Sequence, residues 1–132
     1  MKYLLDTHIL LWWYLDSPQI PSRYNQILDR LEQHEEEFGI SIISLWEITK
    51  LISLQRIHVN FSLDQWFAEL EEDPLLKIIP LSGSIILESS RLGRQFPKDP
   101  ADQIIAGTAR YHELHLMTVD QKIIDSGMVA IA

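Results

Sequence analysis

The sequence predicts an α/β domain built around a largely parallel sheet. Short apolar runs of strand length alternate with longer segments in which apolar residues recur at helical spacing. At 132 residues the chain has the length of one domain, and no repeat, low-complexity tract or linker divides it. We therefore expect a single domain over residues 1–132 in which strands feed into helices.

The first half of the chain holds two predicted strands and three predicted helices. Residues 2–6 are a short apolar run that ends at an acid, and residues 8–15 continue as a short helix. Residues 22–36 place apolar side chains at helical spacing between charged ones. Residues 38–42 form a second apolar run, and a helix over 44–54 follows it. Each strand in this half is thus expected to run into a helix.

The second half of the chain repeats this alternation. Helical patterns cover residues 62–72 and 84–92, and a further helix begins at Asp99-Pro100. Apolar runs at 75–79 and 114–118 predict two more strands, with 129–131 as a candidate fifth.

Composition narrows the class of protein. The absence of cysteine excludes disulfides, zinc–thiolate sites and thiol nucleophiles, and it is compatible with the cytoplasmic location that we expect. Eleven Lys and Arg against nineteen Asp and Glu leave a net charge of −8, which argues against a passive nucleic-acid binder. A nuclease stays open, because bound divalent cations neutralise carboxylates. No run approaches the roughly 18 apolar residues of a membrane span, so we expect no membrane partner.

Four acids lie where predicted strands feed into helices: Asp6, Glu47, Asp102 and Asp120. In open parallel sheets this edge is the one that binds ligands, so the four side chains are expected to gather there. Carboxylates at close range repel one another and cannot all stay ionised without a cation. Their hard oxygens suit Mg²⁺ or Mn²⁺, and such ions promote attack of water on phosphorus. The pattern therefore predicts a metal site for phosphodiester chemistry.

Most of these acids also have a purely structural explanation. Ser44 and Glu47 have the spacing of a capping box, in which the glutamate bonds back to the start of its helix. Asp99 can cap the helix that follows it, which leaves Asp102 as an ordinary first-turn acid. Asp120 can be a simple turn residue. For Glu47 and Asp102 taken alone, the structural explanation is favoured.

Asp6 is the acid for which a functional role is favoured from the residues alone. It lies between two apolar runs, where core is expected. A buried acid costs several kcal/mol unless it is paired or binds a metal. The structural alternative is that Asp6 caps the following helix, a role that Thr7 shares as a possibility.

Four segments that contain these acids resemble the PIN domain, specifically the VapC-type toxin ribonucleases of bacterial toxin–antitoxin pairs. They are Leu4-Leu5-Asp6-Thr7-His8 with Leu11-Trp12, Ile43-Ser44-Leu45-Trp46-Glu47-Ile48, Asp99-Pro100-Ala101-Asp102-Gln103-Ile104-Ile105-Ala106, and Leu116-Met117-Thr118-Val119-Asp120. Each is weak by itself, whereas the four in this order are specific and span residue 4 to about 124. The resemblance implies a three-layer α/β/α sandwich with a central, mainly parallel sheet. It also implies Mg²⁺ or Mn²⁺ dependence, endonucleolytic cleavage of RNA, a homodimer, and neutralisation by a cognate antitoxin whose tail covers the active-site groove.

The resemblance also implies roles for individual residues. The acidic metal-site positions of the family are matched by Asp6, Glu47, Asp102 and Asp120. Asp99 matches an auxiliary acid, and Thr118 matches the small hydroxyl residue that supports the site. One position departs from the pattern, because relatives often carry Arg where this chain has Gln103. Gln103 offers only neutral hydrogen bonds, which puts substrate contact and rate in doubt.

Cationic and aromatic residues provide further candidates for substrate or partner contact. The candidate phosphate contacts are Lys50, Arg91, Arg94, Lys98 and Lys122, each of which is also explained as a plain surface cation. Trp12, Trp13 and Trp46 flank the acid-bearing segments, where stacking on bases competes with the more common role of filling cores or interfaces. Trp66 and Phe67 are candidates for an antitoxin or dimer surface.

Three hypotheses for function remain at this point. The first is a metal-dependent ribonuclease that uses the four acids. The second is a catalytically weak or inactive PIN-like protein-binding module, which Gln103 and the net acidity favour. The third is a phosphatase or receiver that forms an aspartyl phosphate on Asp6. Phosphatases of this kind require a second acid two residues after the first, where this chain has His8.

Overall fold

All four strands of the central sheet run parallel. The computed structural model describes residues 1–132. The strands are β1 (Tyr3–Leu5), β2 (Phe38–Ser41), β3 (Leu76–Ile79) and β4 (His115–Met117), and their order in the sheet is β3-β2-β1-β4. Parallel neighbours need long crossover connections, and helices supply each of them. The four predicted strands over 2–6, 38–42, 75–79 and 114–118 are confirmed.

Seven helices flank the sheet. They are α1 (Thr7–Tyr14), α2 (Ser22–Gln33), α3 (Ile42–Ser53), α4 (Leu63–Glu72), α5 (Gly83–Ser89), α6 (Pro100–Tyr111) and α7 (Gln121–Ser126). No helix combines the length and the apolar content that a membrane crossing requires.

Two hydrophobic cores lie on opposite faces of the sheet. Successive residues of a strand point to opposite faces, and accordingly Leu5 belongs to one core and Leu4 to the other. The first core contains buried side chains of α1 to α4, and the second contains those of α5, α6 and α7. The protein is therefore a three-layer α/β/α sandwich around a parallel sheet, as predicted.

Helix α3 begins two residues earlier than the sequence pattern predicts. Its N-cap is Ser41, whose hydroxyl accepts a hydrogen bond from the amide of Ile43 at 3.2 Å. Ser44 is therefore an interior residue of the first turn, and Glu47 lies in the second turn. The prediction that Ser44 opens this helix is wrong, since Ser41, the last residue of β2, is itself the cap of α3.

The candidate fifth strand at 129–131 is reduced to a single bridge. Ile131 pairs with Leu116 of β4, and no ladder continues from that pair. The short segment after α7 reaches the edge of the sheet but does not extend it, so the sheet ends at β4.

Trp66 is a core residue and does not form part of a partner surface. Its side chain is 0% exposed and packs against the rings of Tyr14 and Phe61 at centroid distances of 5.0 and 5.1 Å. Phe67 is partly buried against the same core. The prediction for Trp66 is wrong because the tryptophan lies on the inner stripe of the amphipathic helix α4.

Candidate metal centre

Three carboxylates converge at the edge of the sheet where strands pass into helices. Glu47, Asp99 and Asp102 each offer one oxygen, and these oxygens all lie within 4.8 Å of one another. Glu47 comes from the second turn of α3, and the two aspartates come from the start of α6. A compact donor set of carboxylate oxygens without histidine or cysteine fits a hard divalent cation such as Mg²⁺ or Mn²⁺.

Helix capping positions Asp99 and Asp102 at the start of α6. Asp99 is the N-cap, and its Oδ1 accepts a hydrogen bond from the amide of Asp102 at 3.1 Å. Pro100 occupies the first helical position, where its missing amide hydrogen has no consequence. Asp99 is confirmed as the cap of α6, and the same side chain also belongs to the group of three carboxylates. Capping and metal binding are thus compatible uses of one side chain.

Glu47 has no capping role. Because α3 starts at Ile42, the predicted capping box does not form, and that explanation of Glu47 is wrong. Ser44 is fully buried, and its Oγ accepts a hydrogen bond from the hydroxyl of Thr7 at 2.9 Å. This contact joins the first turn of α1 to the first turn of α3, one turn ahead of Glu47.

Asp6 lies at the junction of β1 and α1 with both carboxylate oxygens engaged. It is 7% exposed and is the N-cap of α1, where Oδ1 accepts from the amide of Thr7 at 2.8 Å. Its Oδ2 accepts from the hydroxyl of Thr118 at 2.6 Å. Asp6 is therefore a helix cap as the structural alternative held, and it also lies close enough to raise the pKa of Asp102. It stands outside the group of three converging oxygens.

Asp120 follows Thr118 by two residues, at the start of α7. It is the half-buried N-cap of α7, and its Oδ1 accepts from the amide of Lys122 at 3.0 Å. Its own amide donates to the Thr118 hydroxyl at 3.1 Å. The Thr118 hydroxyl therefore connects Asp120 to Asp6. This contact agrees with the supporting role that the resemblance implied for Thr118.

The site is crowded with negative charge in the absence of a cation. Burial, followed by the charges of Asp6, Asp99, Glu47 and Asp120, raises the pKa of Asp102 from 3.8 to about 7. Five carboxylates near one another destabilise each other's ionised forms, and a bound divalent cation would remove that penalty.

Two further acids share this behaviour. Burial is also the main cause that raises the pKa of Asp6, against the hydrogen bonds from Thr118 and Thr7 that lower it. Burial raises the pKa of Glu47 in the same way, with the Thr7 hydroxyl acting in the opposite direction. Perturbed carboxyl groups at one sheet edge are typical of functional sites.

Tyr24 supports this edge of the sheet, and it was not identified from the sequence as a site residue. Its ring is fully buried, and its hydroxyl donates to the carbonyl oxygen of Thr118 at 2.9 Å. The amide of Thr118 and the guanidinium of Arg23 donate to the same hydroxyl at 3.3 and 2.9 Å. Tyr24 therefore holds the backbone of the residue that binds Asp6. The one sequence signal was a tyrosine hydroxyl at an apolar position of α2.

Gln103 forms the neutral contact that its chemistry allows. Its Nε2 donates to the carbonyl oxygen of Pro97 at 3.1 Å. The side chain thus braces the loop that leads into α6, beside the two acids at the start of that helix.

The candidate phosphate contacts differ in their surroundings. Arg91 is paired with Glu88 at 3.3 Å. Lys50 lies over the ring of Trp46 at 5.5 Å, and that ring is 52% exposed. Lys122 is exposed near Asp120, while Arg94 and Lys98 line one cleft. Trp12 and Trp13 pack partly buried against the first core.

Comparisons with known proteins agree with the fold. The PIN domain family model matches residues 3–126. The chain is 28% identical over 120 residues to Ribonuclease VapC22 of Mycobacterium tuberculosis, covering 91% of this chain and 88% of that protein. The structure of VapBC2 from Rickettsia felis, bound to a DNA fragment from their promoter, matches with a TM-score of 0.71 at 19% identity and covers 100% of this chain and 98% of that one. A toxin–antitoxin complex from Klebsiella pneumoniae matches with a TM-score of 0.62 at 23% identity, over 93% and 90% of the two chains.

Proposed function

Because the chain belongs to the PIN domain family, we propose that it is a metal-dependent endoribonuclease and the toxin of a toxin–antitoxin pair. The observation that carries the proposal is the convergence of carboxylate oxygens from Glu47, Asp99 and Asp102 within 4.8 Å. The name of the relative VapC22 supports ribonuclease chemistry, and the toxin–antitoxin complex among the fold neighbours supports an antitoxin partner.

The proposed metal ligands are the carboxylates at this edge of the sheet. Glu47, Asp99 and Asp102 would hold Mg²⁺ or Mn²⁺, with Asp6 and Asp120 contributing directly or through water. When bound, the cation supplies the positive charge that neutralises these acids and promotes hydrolysis of a phosphodiester bond. The converging group contains carboxylates and neither histidine nor cysteine, which favours a hard cation over zinc.

The protein's own residues prepare this site by fixing its acids in place. The Thr118 hydroxyl and the Thr7 amide hold the two oxygens of Asp6. The hydrogen bond between Thr7 and Ser44 keeps α1 against α3, so that Glu47 faces the start of α6. A rigid set of ligands avoids reorganisation when substrate arrives, which is how preorganised polar groups accelerate a reaction.

The partners proposed for this chain are an antitoxin, a second copy of the chain and an RNA substrate in the cytoplasm. Exposed apolar side chains on α3 and α5 support protein contacts: Trp46, Ile86 and Leu87 are 52%, 47% and 54% exposed. Exposed apolar side chains that lie close together often mark a surface that binds another protein.

Cleavage of single-stranded RNA by the purified chain, with Mg²⁺ or Mn²⁺ and then with excess chelator, tests the proposed activity. We expect cleavage only with the cation, and a loss of at least about 100-fold in Glu47→Gln and in Asp6→Asn, since a misplaced catalytic group costs a factor of this order. Asp29→Asn, an exposed acid on α2, is the matched control and should retain full activity. Unchanged cleavage in chelator, or wild-type activity in Asp6→Asn, would refute the mechanism.

A second candidate is a PIN-like binding module with weak or no catalysis. Gln103 favours it, because its amide is occupied by Pro97 and it carries no charge for a substrate phosphate. Metal binding without hydrolysis, together with tight binding of a protein partner, would support this candidate. In that case Gln103→Arg should raise RNA cleavage above background.

A further inference from the structure

A cleft of about 600 Å³ opens between the end of α5 and the start of α6. Its polar lining consists of Ser89, Ser90, Arg94, Lys98 and Gln103. None of the lining residues is acidic, although the chain as a whole carries a net charge of −8. The cleft is therefore a local basic region on an acidic protein.

The two cations of the cleft are free of ion pairs. Arg94 and Lys98 are exposed, and neither forms a salt bridge. Of the eleven Lys and Arg residues, three (Lys77, Arg91 and Arg110) pair with a glutamate and eight do not, so what distinguishes Arg94 and Lys98 is that they share one cleft without an acid. With nineteen acids against eleven bases in the chain, two unpaired cations in one cleft leave their charge available to an anion from outside.

The cleft and the carboxylate group share the start of α6. Lys98 in the cleft directly precedes Asp99 of the carboxylate group, and Asp102 of that group directly precedes Gln103 in the cleft. Successive residues of a helix point about 100° apart, so Asp102 can belong to the carboxylate group while Gln103, the next residue, lines the cleft. The cleft and the carboxylate group therefore adjoin at the start of α6.

We propose that this cleft binds the sugar–phosphate backbone of the RNA strand next to the phosphate that is cleaved. The inference rests on the proposed ribonuclease function and deepens it by naming two substrate-binding residues. The Arg94 guanidinium can take two phosphate oxygens at once, and Lys98 acts as a compact point charge. Such contacts position the strand without reading its sequence. RNA is favoured over an acidic protein segment because the cleft shares the start of α6 with the acids of the candidate metal centre.

The test is binding of a fluorescent single-stranded RNA of mixed sequence, measured by anisotropy with Mg²⁺ at several salt concentrations. Asp102→Asn in the full chain serves as the cleavage-disabled parent. Adding Arg94→Gln and Lys98→Gln should raise Kd about 5- to 20-fold and lower the slope of log K against log salt by about 1.4, at about 0.7 per phosphate contact. The matched control adds Lys2→Gln and Arg56→Gln, two exposed and unpaired cations elsewhere, and should change neither quantity by as much.

The same pair of substitutions in the active chain separates binding from chemistry. We expect KM to rise by a similar factor while kcat stays within about twofold, which is the signature of lost uniform binding. Arg94→Lys, which keeps the charge, should recover part of the affinity and shows that the loss is not a folding defect.

Three results would overturn the cleft as an RNA site. The first is an equal effect of the control substitutions, and the second is a parent that does not bind RNA. The third is that the Arg94 and Lys98 substitutions abolish binding of an acidic protein partner and leave RNA binding intact. Binding with the expected change of salt slope but no cleavage in the active chain would support the cleft and refute the proposed ribonuclease function.

Discussion

Replacing Asp102 with asparagine should stabilise the metal-free protein at pH 8 while removing its activity. The carboxyl group is crowded by burial and by four other acids, which raise its pKa from 3.8 to about 7. Asparagine has nearly the same shape and cannot ionise, so it removes the unfavourable charge. Its backbone amide still donates to Asp99, so the cap of α6 is kept.

The magnitude follows from the difference between the two pKa values of Asp102. At 1.36 kcal/mol per pKa unit, a rise from 3.8 to about 7 sets a ceiling of about 4 kcal/mol. Asp102 is only half-buried, and solvent screens its charge, so we expect about 1–2 kcal/mol.

The sign of the pH dependence follows from proton binding by the two states. Between pH 4 and 7 the folded protein binds more protons at Asp102 than the unfolded chain does, so the stability of the wild type falls as pH rises through that window. Below pH 4 both states are protonated, and above about pH 7 the loss is complete. The advantage of Asp102→Asn should therefore be small at pH 4.5 and full at pH 8.

Urea unfolding in chelator at pH 4.5, 6 and 8 measures this difference, with Asp29→Asn as the control for removing one exposed negative charge. Saturating Mg²⁺ should stabilise the wild type and do so much less for Asp102→Asn, because a ligand that binds the folded state adds to its stability. A difference in unfolding free energy that does not vary with pH, or a wild type that is the more stable protein at pH 8, would refute the reasoning.

Two further predictions concern packing and support. Gly107→Ala should destabilise the fold by about 1–2 kcal/mol in thermal or urea unfolding, because a Cβ there would lie 3.0 Å from the Ile85 carbonyl oxygen across the contact between α5 and α6. Gly83→Ala, which meets nothing within 4 Å, is its control, and an equal loss there would contradict the packing argument. Tyr24→Phe should lower stability by about 1–3 kcal/mol, because it leaves the buried backbone of Thr118 without its partner. The same variant should weaken Mn²⁺ binding measured by calorimetry, and unchanged binding would mean that Tyr24 does not act on the site.

The start of α6 illustrates what local sequence signals predict well. An aspartate before a proline, followed by apolar residues at helical spacing, identifies a capped helix start. Asp99 accordingly caps the helix, and Asp102 follows in its first turn. The start of α3 was less predictable, since the helix is capped by Ser41 and the predicted Ser44 is a buried residue bonded to Thr7.

The sequence by itself determined the α/β alternation, the four strands and the placement of acids at strand–helix junctions. Burial periodicity and capping chemistry are local, so they can be recognised in a short stretch of chain. Only the tertiary structure decided that the oxygens of Glu47, Asp99 and Asp102 converge, and that the Thr118 hydroxyl binds Asp6 outside that group. It also decided the raised pKa of Asp102 and the unpaired state of the cations in the cleft. These properties depend on distances between segments that are remote along the chain, and no local pattern encodes such distances.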